Sequence, residues 1–302
     1  MPEHAFHPDL RAARFLPRAA VGPRTLPLLR LVSKIGGNRP LPGAERVVVE
    51  PGVSMHVFRP SGAPGPALLW VHGGGLVMGS AAQDARFCRR VADELGVVVA
   101  SVEYRLAPEH PFPTPLHDCW AALRRLADLP GVDPDRIAIG GASAGGGLAA
   151  ALALLARERG DVRPAFQLLV YPMLDDRTSA RTDVDESRLR MWNVSSNRFG
   201  WRSYLGADHA AEVPPLAAPA RCEDLSGLPP AWVGVGTNDL FHEEDVAYAN
   251  RLRRAGVDCG LLEVPGAYHG FDAVQGKAPV SQAFVDAQVA ALAGGLGITA
   301  RG

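Results

Sequence analysis

The chain is poor in features that several protein classes depend on. Only four cysteines occur in 302 residues, and Cys88, Cys119, Cys222 and Cys259 stand far apart, with no pair at metal-ligand spacing. Disulfide frameworks serve small secreted domains, whereas a chain this long buries about three-quarters of its unfolded surface without one. Reduced, mostly buried thiols are expected. Positive charge is not in excess either: 31 Lys and Arg face 32 Asp and Glu, for a formal net charge of −1. That balance excludes nucleic acid as the main partner, since nothing would neutralise a run of phosphates. No uncharged run reaches transmembrane length, so stable membrane insertion is not expected. The opening Met1-Pro2-Glu3-His4-Ala5-Phe6 lacks a basic region followed by an apolar one, and the cytoplasm is the expected compartment. No internal repeat or low-complexity linker divides the chain.

What is present is an alternation of strands and helices. Strands are expected at Arg46 to Glu50, Met55 to Arg59, Ala67 to Val71, Val97 to Val102, Ile137 to Ile139, Phe166 to Tyr171, Ala231 to Val235 and Gly260 to Val264. Wholly apolar runs such as Val97-Val98-Val99-Ala100 suit a parallel sheet covered by helices on both faces. Helices are expected at Asp84 to Leu95, Pro115 to Leu126, Leu148 to Arg157 and Glu243 to Ala255. The last has acids Glu243, Glu244 and Asp245 in its first turn, bases in its last, and Gly256 as its stop. Before the first strand, residues 7–35 carry the stripe Leu28, Leu29, Leu31, Val32 and Ile35, interrupted by prolines. This segment reads equally as a core-packed helix or a lid. Between Asp175 and Pro219 the rhythm lapses, and Trp192 and Trp201 fall in an excursion that either carries substrate contacts or forms a satellite cluster.

The chain is organised around Ile137-Ala138-Ile139-Gly140-Gly141-Ala142-Ser143-Ala144-Gly145. An apolar strand turns sharply at glycines flanking one serine and continues as a helix. Gly141-x-Ser143-x-Gly145 is the spacing of a nucleophile elbow, in which small neighbours let a strained turn expose the serine oxygen above a sheet. Taken alone, the motif is also compatible with a glycine-rich turn that does no chemistry.

A serine hydroxyl becomes a strong nucleophile only when a base takes its proton and a third group holds that base. In an elbow enzyme the order is serine, acid, histidine, with each residue just beyond a strand's carboxyl end. Asp239 follows the strand Ala231 to Val235, while Glu243, Glu244 and Asp245 read as helix-start charges. His269 follows the next strand, and His242 reads as a capping or surface residue. Directly after Ala67 to Val71 comes His72-Gly73-Gly74-Gly75. Here the amides of Gly73 and Gly74, with that of Ala144, could approach an oxyanion. The run lacks the GxGxxG spacing and the following Lys-Ser/Thr of a phosphate loop.

These motifs, together with Tyr104-Arg105-Leu106-Ala107-Pro108-Glu109-His110-Pro111-Phe112-Pro113 and His269-Gly270-Phe271, resemble the hormone-sensitive-lipase family of α/β hydrolases, over roughly residues 45–295. The resemblance implies an α/β-hydrolase fold with a mostly parallel central sheet, helices on both faces and a helical cap. Residues 1–44 would form a cap segment, and 45–302 the catalytic domain with a cap insertion around 176–218. The implied activity is a serine carboxylesterase acting on short- to medium-chain esters through an acyl-enzyme. Ser143 is its nucleophile, His269 its base, Asp239 the orienting acid, Gly73, Gly74 and Ala144 the oxyanion donors, and His72 the loop support. The Tyr104 to Pro113 segment would buttress the floor of the site. No metal or organic cofactor is implied, and the expected partners are a small-molecule ester and, at most, a second copy of the chain in a homodimer. An amide hydrolase with the same triad, or a ligand-binding protein without catalysis, are the alternatives. One departure stands out: many members carry Asp immediately before the serine, where this chain has Ala142.

Overall fold

In the computed structural model, residues 6–18, 21–37, 41–60, 65–206 and 212–298 are described, with side chains undescribed for 32–37. The eight strands are β1 (Ala44–Glu50), β2 (Val53–Phe58), β3 (Gly65–Val71), β4 (Val98–Glu103), β5 (Val132–Ala142), β6 (Phe166–Val170), β7 (Ala231–Asn238) and β8 (Cys259–Tyr268). They form one sheet in the order β1-β2-β4-β3-β5-β6-β7-β8. β2 runs antiparallel to β1 and β4, and every other pairing is parallel. The apolar runs lie at its centre, where both faces are covered: Leu69 of β3 sits in register with Ala100 of β4 and Ile139 of β5. Strand alternation divides the core, sending Ala67, Leu69 and Val71 to one side and Leu68 and Trp70 to the other.

The helices are α1 (Leu26–Gly37), α2 (Ala85–Leu95), α3 (Thr114–Ala127), α4 (Ala144–Arg159), α5 (Val194–Leu205), α6 (His242–Arg254), α7 (Phe271–Val274) and α8 (Pro279–Gly295). Side chains of α3, α4 and α6 fill one face of the sheet. Those of α2 and α8, with Leu10 and Ala13 of the 3-10 helix Pro8–Phe15, fill the other. None of the described helices is long and apolar enough to cross a membrane. Cys88, Cys119 and Cys259 are buried free thiols, and Cys222 is half-buried and free.

Several elements depart from the sequence expectations, among them α8, which no expected helix covers. Helix α4 begins at Ala144, directly after the serine, and not at Leu148. Its Gly145, Gly146 and Gly147 look like helix breakers but are contact residues. A Cβ on Gly145 would meet the Val71 and His72 carbonyl oxygens, one on Gly146 the Pro172 ring, and one on Gly147 the Met173 carbonyl. Within the 175–219 excursion lies a full helix, α5, started by Asn193, whose side chain accepts from the Ser196 amide at 3.0 Å. Trp192, Trp201 and Tyr204 of this excursion join the main core on the α4 side, so they are not a satellite cluster.

The N-terminal stripe is split. Leu28 and Leu31 are 66% and 55% exposed, while Leu26 is buried; the side chains of Val32 and Ile35 lie outside the described residues. Hydrogen bonds fasten this segment to the rest. Arg30 donates to the Val77 carbonyl at 2.7 Å and pairs with Glu109. Farther back, the Met191 amide donates to the Pro17 carbonyl at 2.9 Å, the Ser196 hydroxyl to the Val21 carbonyl at 2.8 Å, and the Arg190 guanidinium to the Ala13 carbonyl at 2.7 Å.

Candidate active site

The turn between β5 and α4 holds Ser143 at φ 57°, ψ −122°, a left-handed conformation that a residue with a side chain rarely adopts. Packing around it enforces the strain. The Ser143 amide donates to the Val170 carbonyl at 2.9 Å, and its carbonyl accepts from the Met173 and Gly147 amides at 2.9 and 3.0 Å. A Cβ on Gly141 would stand 2.5 Å from the carbonyl oxygens of Gly145 and Val71. No larger residue fits two positions either side of the serine, and the hydroxyl is forced to the carboxyl edge of the sheet.

At that edge three side chains distant in sequence touch in series. His269 Nε2 lies 2.9 Å from Ser143 Oγ, and His269 Nδ1 lies 2.8 Å from Asp239 Oδ2. The other carboxylate oxygen of Asp239 accepts the Phe241 amide at 3.0 Å, which fixes the carboxylate's rotation. Its side chain is fully buried, and that of His269 is only 10% exposed. Aromatic rings enclose the imidazole: Tyr171 edge-on at 4.9 Å, Phe241 edge-on at 5.2 Å and Trp192 tilted at 6.4 Å between centroids. With Nδ1–H donated to Asp239, Nε2 is left as an acceptor for the serine proton.

The loop after β3 stands against the same serine. A Cβ on Gly73 would lie 3.3 Å from Ser143 Cβ and 2.9 Å from the Ala142 carbonyl oxygen. Gly74 and Gly75 have φ of 125° and 60°. The Gly73 carbonyl is turned toward His72, whose Nδ1 lies 2.8 Å away, and Gln83 donates to it at 3.4 Å. Because the peptide is planar, the Gly74 N–H is held on the opposite side. The Ala144 N–H, first in α4, has no intrahelical acceptor. Burial pushes the His72 imidazole down to about 4, so at neutral pH it is an uncharged Nδ1–H donor. Tyr104 stacks on its ring at 4.2 Å and donates to the His72 carbonyl at 2.9 Å. The Tyr104 to Pro113 segment thus braces the glycine loop: Ala107 donates to the Leu76 carbonyl, and Arg105 is clamped bidentately by buried Asp118.

The acids after Asp239 differ from their sequence reading. Only Glu243 is an exposed helix-start charge; it pairs with Arg181. Glu244 is buried and accepts the amides of Leu174 at 2.7 Å and Asp175 at 3.1 Å, and the Thr178 hydroxyl. It ties α6 to the start of the excursion, and burial raises its carboxyl to about 8. Asp245 is fully buried with neither oxygen hydrogen-bonded among the described residues, and burial holds its carboxyl well above the usual range. His242 is a surface residue, 2.6 Å from Glu263. Ala142 lines a cavity of about 570 Å³ behind the elbow, with Trp70, Asp84, Tyr171 and Asp272. Neither Ser143 nor His269 faces that cavity. Sequence reasoning did not single out Tyr171 or Phe241, which lie just past a strand end and at a helix entrance and carry no motif of their own.

Residues 68–273 match the model of a family described as having the alpha/beta hydrolase fold. Esterase LipI of Mycobacterium tuberculosis is 36% identical over 225 residues, covering 74% of this chain and 70% of that protein. Carboxylesterase NlhH of the same species is 38% identical over 216 residues, covering 68% of this chain and 66% of that protein. Among solved structures, a bacterial heroin esterase superposes with a TM-score of 0.85 at 38% identity, covering 97% of this chain and 98% of the other. With its parallel sheet, elbow and glycine loop, the chain belongs to the hormone-sensitive-lipase branch of the α/β-hydrolase fold family.

Proposed function

We propose that this protein is a serine carboxylesterase that hydrolyses short- to medium-chain esters through an acyl-enzyme. The observation that carries the reading is the unbroken contact from Ser143 Oγ through His269 to Asp239, at 2.9 and 2.8 Å, on a strained turn. The names of its relatives, esterase and carboxylesterase, support the same chemistry.

Ser143 Oγ adds to the ester carbonyl carbon while His269 Nε2 takes its proton. Negative charge moves to the carbonyl oxygen, where the N–H groups of Gly73, Gly74 and Ala144 stabilise it. Asp239 stabilises the imidazolium, which then protonates the leaving alcohol oxygen as the C–O bond breaks. Water adds to the acyl-enzyme with His269 again as base, and its collapse releases the carboxylic acid and restores the serine hydroxyl. The scheme calls on no metal or organic cofactor. Residues 1–44 and the insertion around 176–218 act together as the cap, a reading supported by the hydrogen bonds from Arg190, Met191 and Ser196 to the N-terminal segment. The protein acts in the cytoplasm on small-molecule esters, alone or as a homodimer.

Labelling with a serine-reactive fluorophosphonate, read by peptide mass, tests the nucleophile directly. One adduct on Ser143 is expected, with none on Ser143→Ala, which should keep its thermal midpoint and lose ester hydrolysis. An active Ser143→Ala protein would overturn the reading. Faster cleavage of aryl anilides than of phenyl esters would reassign the protein as an amide hydrolase.

A further inference from the structure

The excursion between β6 and β7 delivers one side chain to the reacting centre for which the chemistry above has no use. The indole of Trp192 is 4% exposed and sits between the glycine loop and the imidazole. A Cβ built on Gly75 would overlap its six-membered ring, with Cζ3 at 2.9 Å and Cζ2 at 3.0 Å. Its centroid is 6.4 Å from that of His269, with the rings 40° apart. Helix α5 closes the far side: a Cβ on Gly200 would stand 2.8 Å from the Gly75 carbonyl oxygen and 3.5 Å from the indole.

The indole is fixed in place. Its N–H donates to Asn197 Oδ1 at 3.3 Å, and Asn197 in turn donates to the Ser179 hydroxyl at 3.3 Å. Preceding it, Met191 adopts a left-handed φ of 67°, which aims the next side chain inward. Buried Arg190 donates to the carbonyls of Ala13, Ser187 and Leu189. One hydrogen bond and close packing against Gly75 and Gly200 give the ring a definite position as a wall.

Stereochemistry decides which half of an ester meets that wall. The carbonyl oxygen must point at the amides of Gly73 and Gly74, and the leaving oxygen must come within hydrogen-bond reach of His269 Nε2. The alcohol substituent therefore departs on the imidazole side, beside the glycine loop, where the indole stands. We propose that Trp192 sets the size of the alcohol this site accepts, favouring slim primary alcohols and excluding branched or cyclic ones. The assignment rests on the esterase reading above.

The test compares kcat/KM on two ladders, acetates of ethyl, butyl, isopropyl and cyclohexyl alcohols, and ethyl esters of increasing acyl length. In Trp192→Ala, the cyclohexyl-to-ethyl ratio should rise by about tenfold or more, the scale of removing a few methylenes' worth of obstruction. The acyl ladder should keep its shape. Trp192→Phe, which retains a ring, should stay near the parent on both ladders, and Trp192→Leu should fall between. This series keeps the test decisive if the alanine variant folds poorly. A merely structural role would lower every substrate alike, and that uniform loss, or a shift confined to the acyl ladder, would overturn the proposal while leaving the esterase reading intact. Absence of turnover of every ester by the unsubstituted protein would overturn both.

Discussion

The phenol ring of Tyr171 stands edge-on to the His269 imidazole at 4.9 Å, and its hydroxyl donates to Asp272 Oδ1 at 2.8 Å. Tyr171 itself has a left-handed φ of 34°. The ring holds one side of the base, and the carboxylate holds the ring. Replacement by Phe keeps the edge-to-face contact and removes the tether, leaving Asp272 with Gln288 at 3.5 Å and the backbone N–H groups of Asp272 and Ala273 as donors. Tyr171→Phe should lose about 1–3 kcal/mol of stability, the scale of a severed hydrogen bond to a charged group, and retain kcat within about tenfold. Urea midpoints and steady-state kinetics check both values. A loss of activity comparable to that of Ser143→Ala would give Tyr171 a direct part in the reaction.

His72→Phe tests the loop support. Phenylalanine can still stack on Tyr104, but it cannot donate to the Gly73 carbonyl, so the Gly74 N–H loses its aim. A reduction in kcat of about tenfold to a hundredfold is expected, short of or equal to the loss of one oxyanion donor. KM should move little, because the ground-state ester gains least from that amide. Since His72 is neutral above about pH 4, its own titration should leave no step in activity between pH 6 and 9. A charge-dependent step that disappears in the variant would contradict this role.

Gly145→Ala should be among the most destabilising single changes in the molecule. The added methyl meets the His72 carbonyl oxygen at 2.5 Å and collides with that of Val71, both backbone atoms that cannot swing aside. Overpacking of this kind costs about 1–3 kcal/mol and more where backbone must shift. A thermal midpoint equal to the parent's would refute the close approach of α4 to β3.

Glu244 makes stability depend on pH with a definite sign. Its carboxyl is raised from 4.5 to about 8, so the native state holds a proton that the unfolded chain releases earlier. Its stabilising contribution is complete below about pH 4.5, declines as pH rises, and is lost above about 8. Glu244→Gln carries no such proton, and the urea midpoint of this variant relative to the parent should improve from pH 5 to pH 9. A constant difference across that range would show that Glu244 is ionised in the fold.

The strands could be read from the sequence because continuous apolar runs have few other uses in a chain of this composition. That Ser143, Asp239 and His269 would meet was readable because each follows a strand, and strand ends converge on one edge of a parallel sheet. Two features of the site were hidden, for different reasons. The glycines at 146 and 147 signal flexibility by propensity, yet here they mark close packing against Pro172 and Met173, a tertiary contact that no local pattern shows. Glu244 looks like any acid in a first helical turn, and only the return of the chain at Leu174 and Asp175 buries it. Helix α5 did carry a local sign in Asn193 followed by Ser196, obscured by the aromatic residues around it. The departure at Ala142 has a spatial counterpart: Ala142 lines the same cavity as the carboxylates of Asp84 and Asp272, so an aspartate at 142 would add a third acid to that lining.

The bonds from Arg190 and Met191 to the carbonyls of Ala13 and Pro17 tie the residues next to Trp192 to the leading part of the chain. They join two stretches of chain far apart in sequence, so a displacement of one is passed directly to the other. Trimming or fusing a tag to the leading residues would therefore be felt at the tryptophan beside the base, as altered selectivity in a protein whose sheet is untouched.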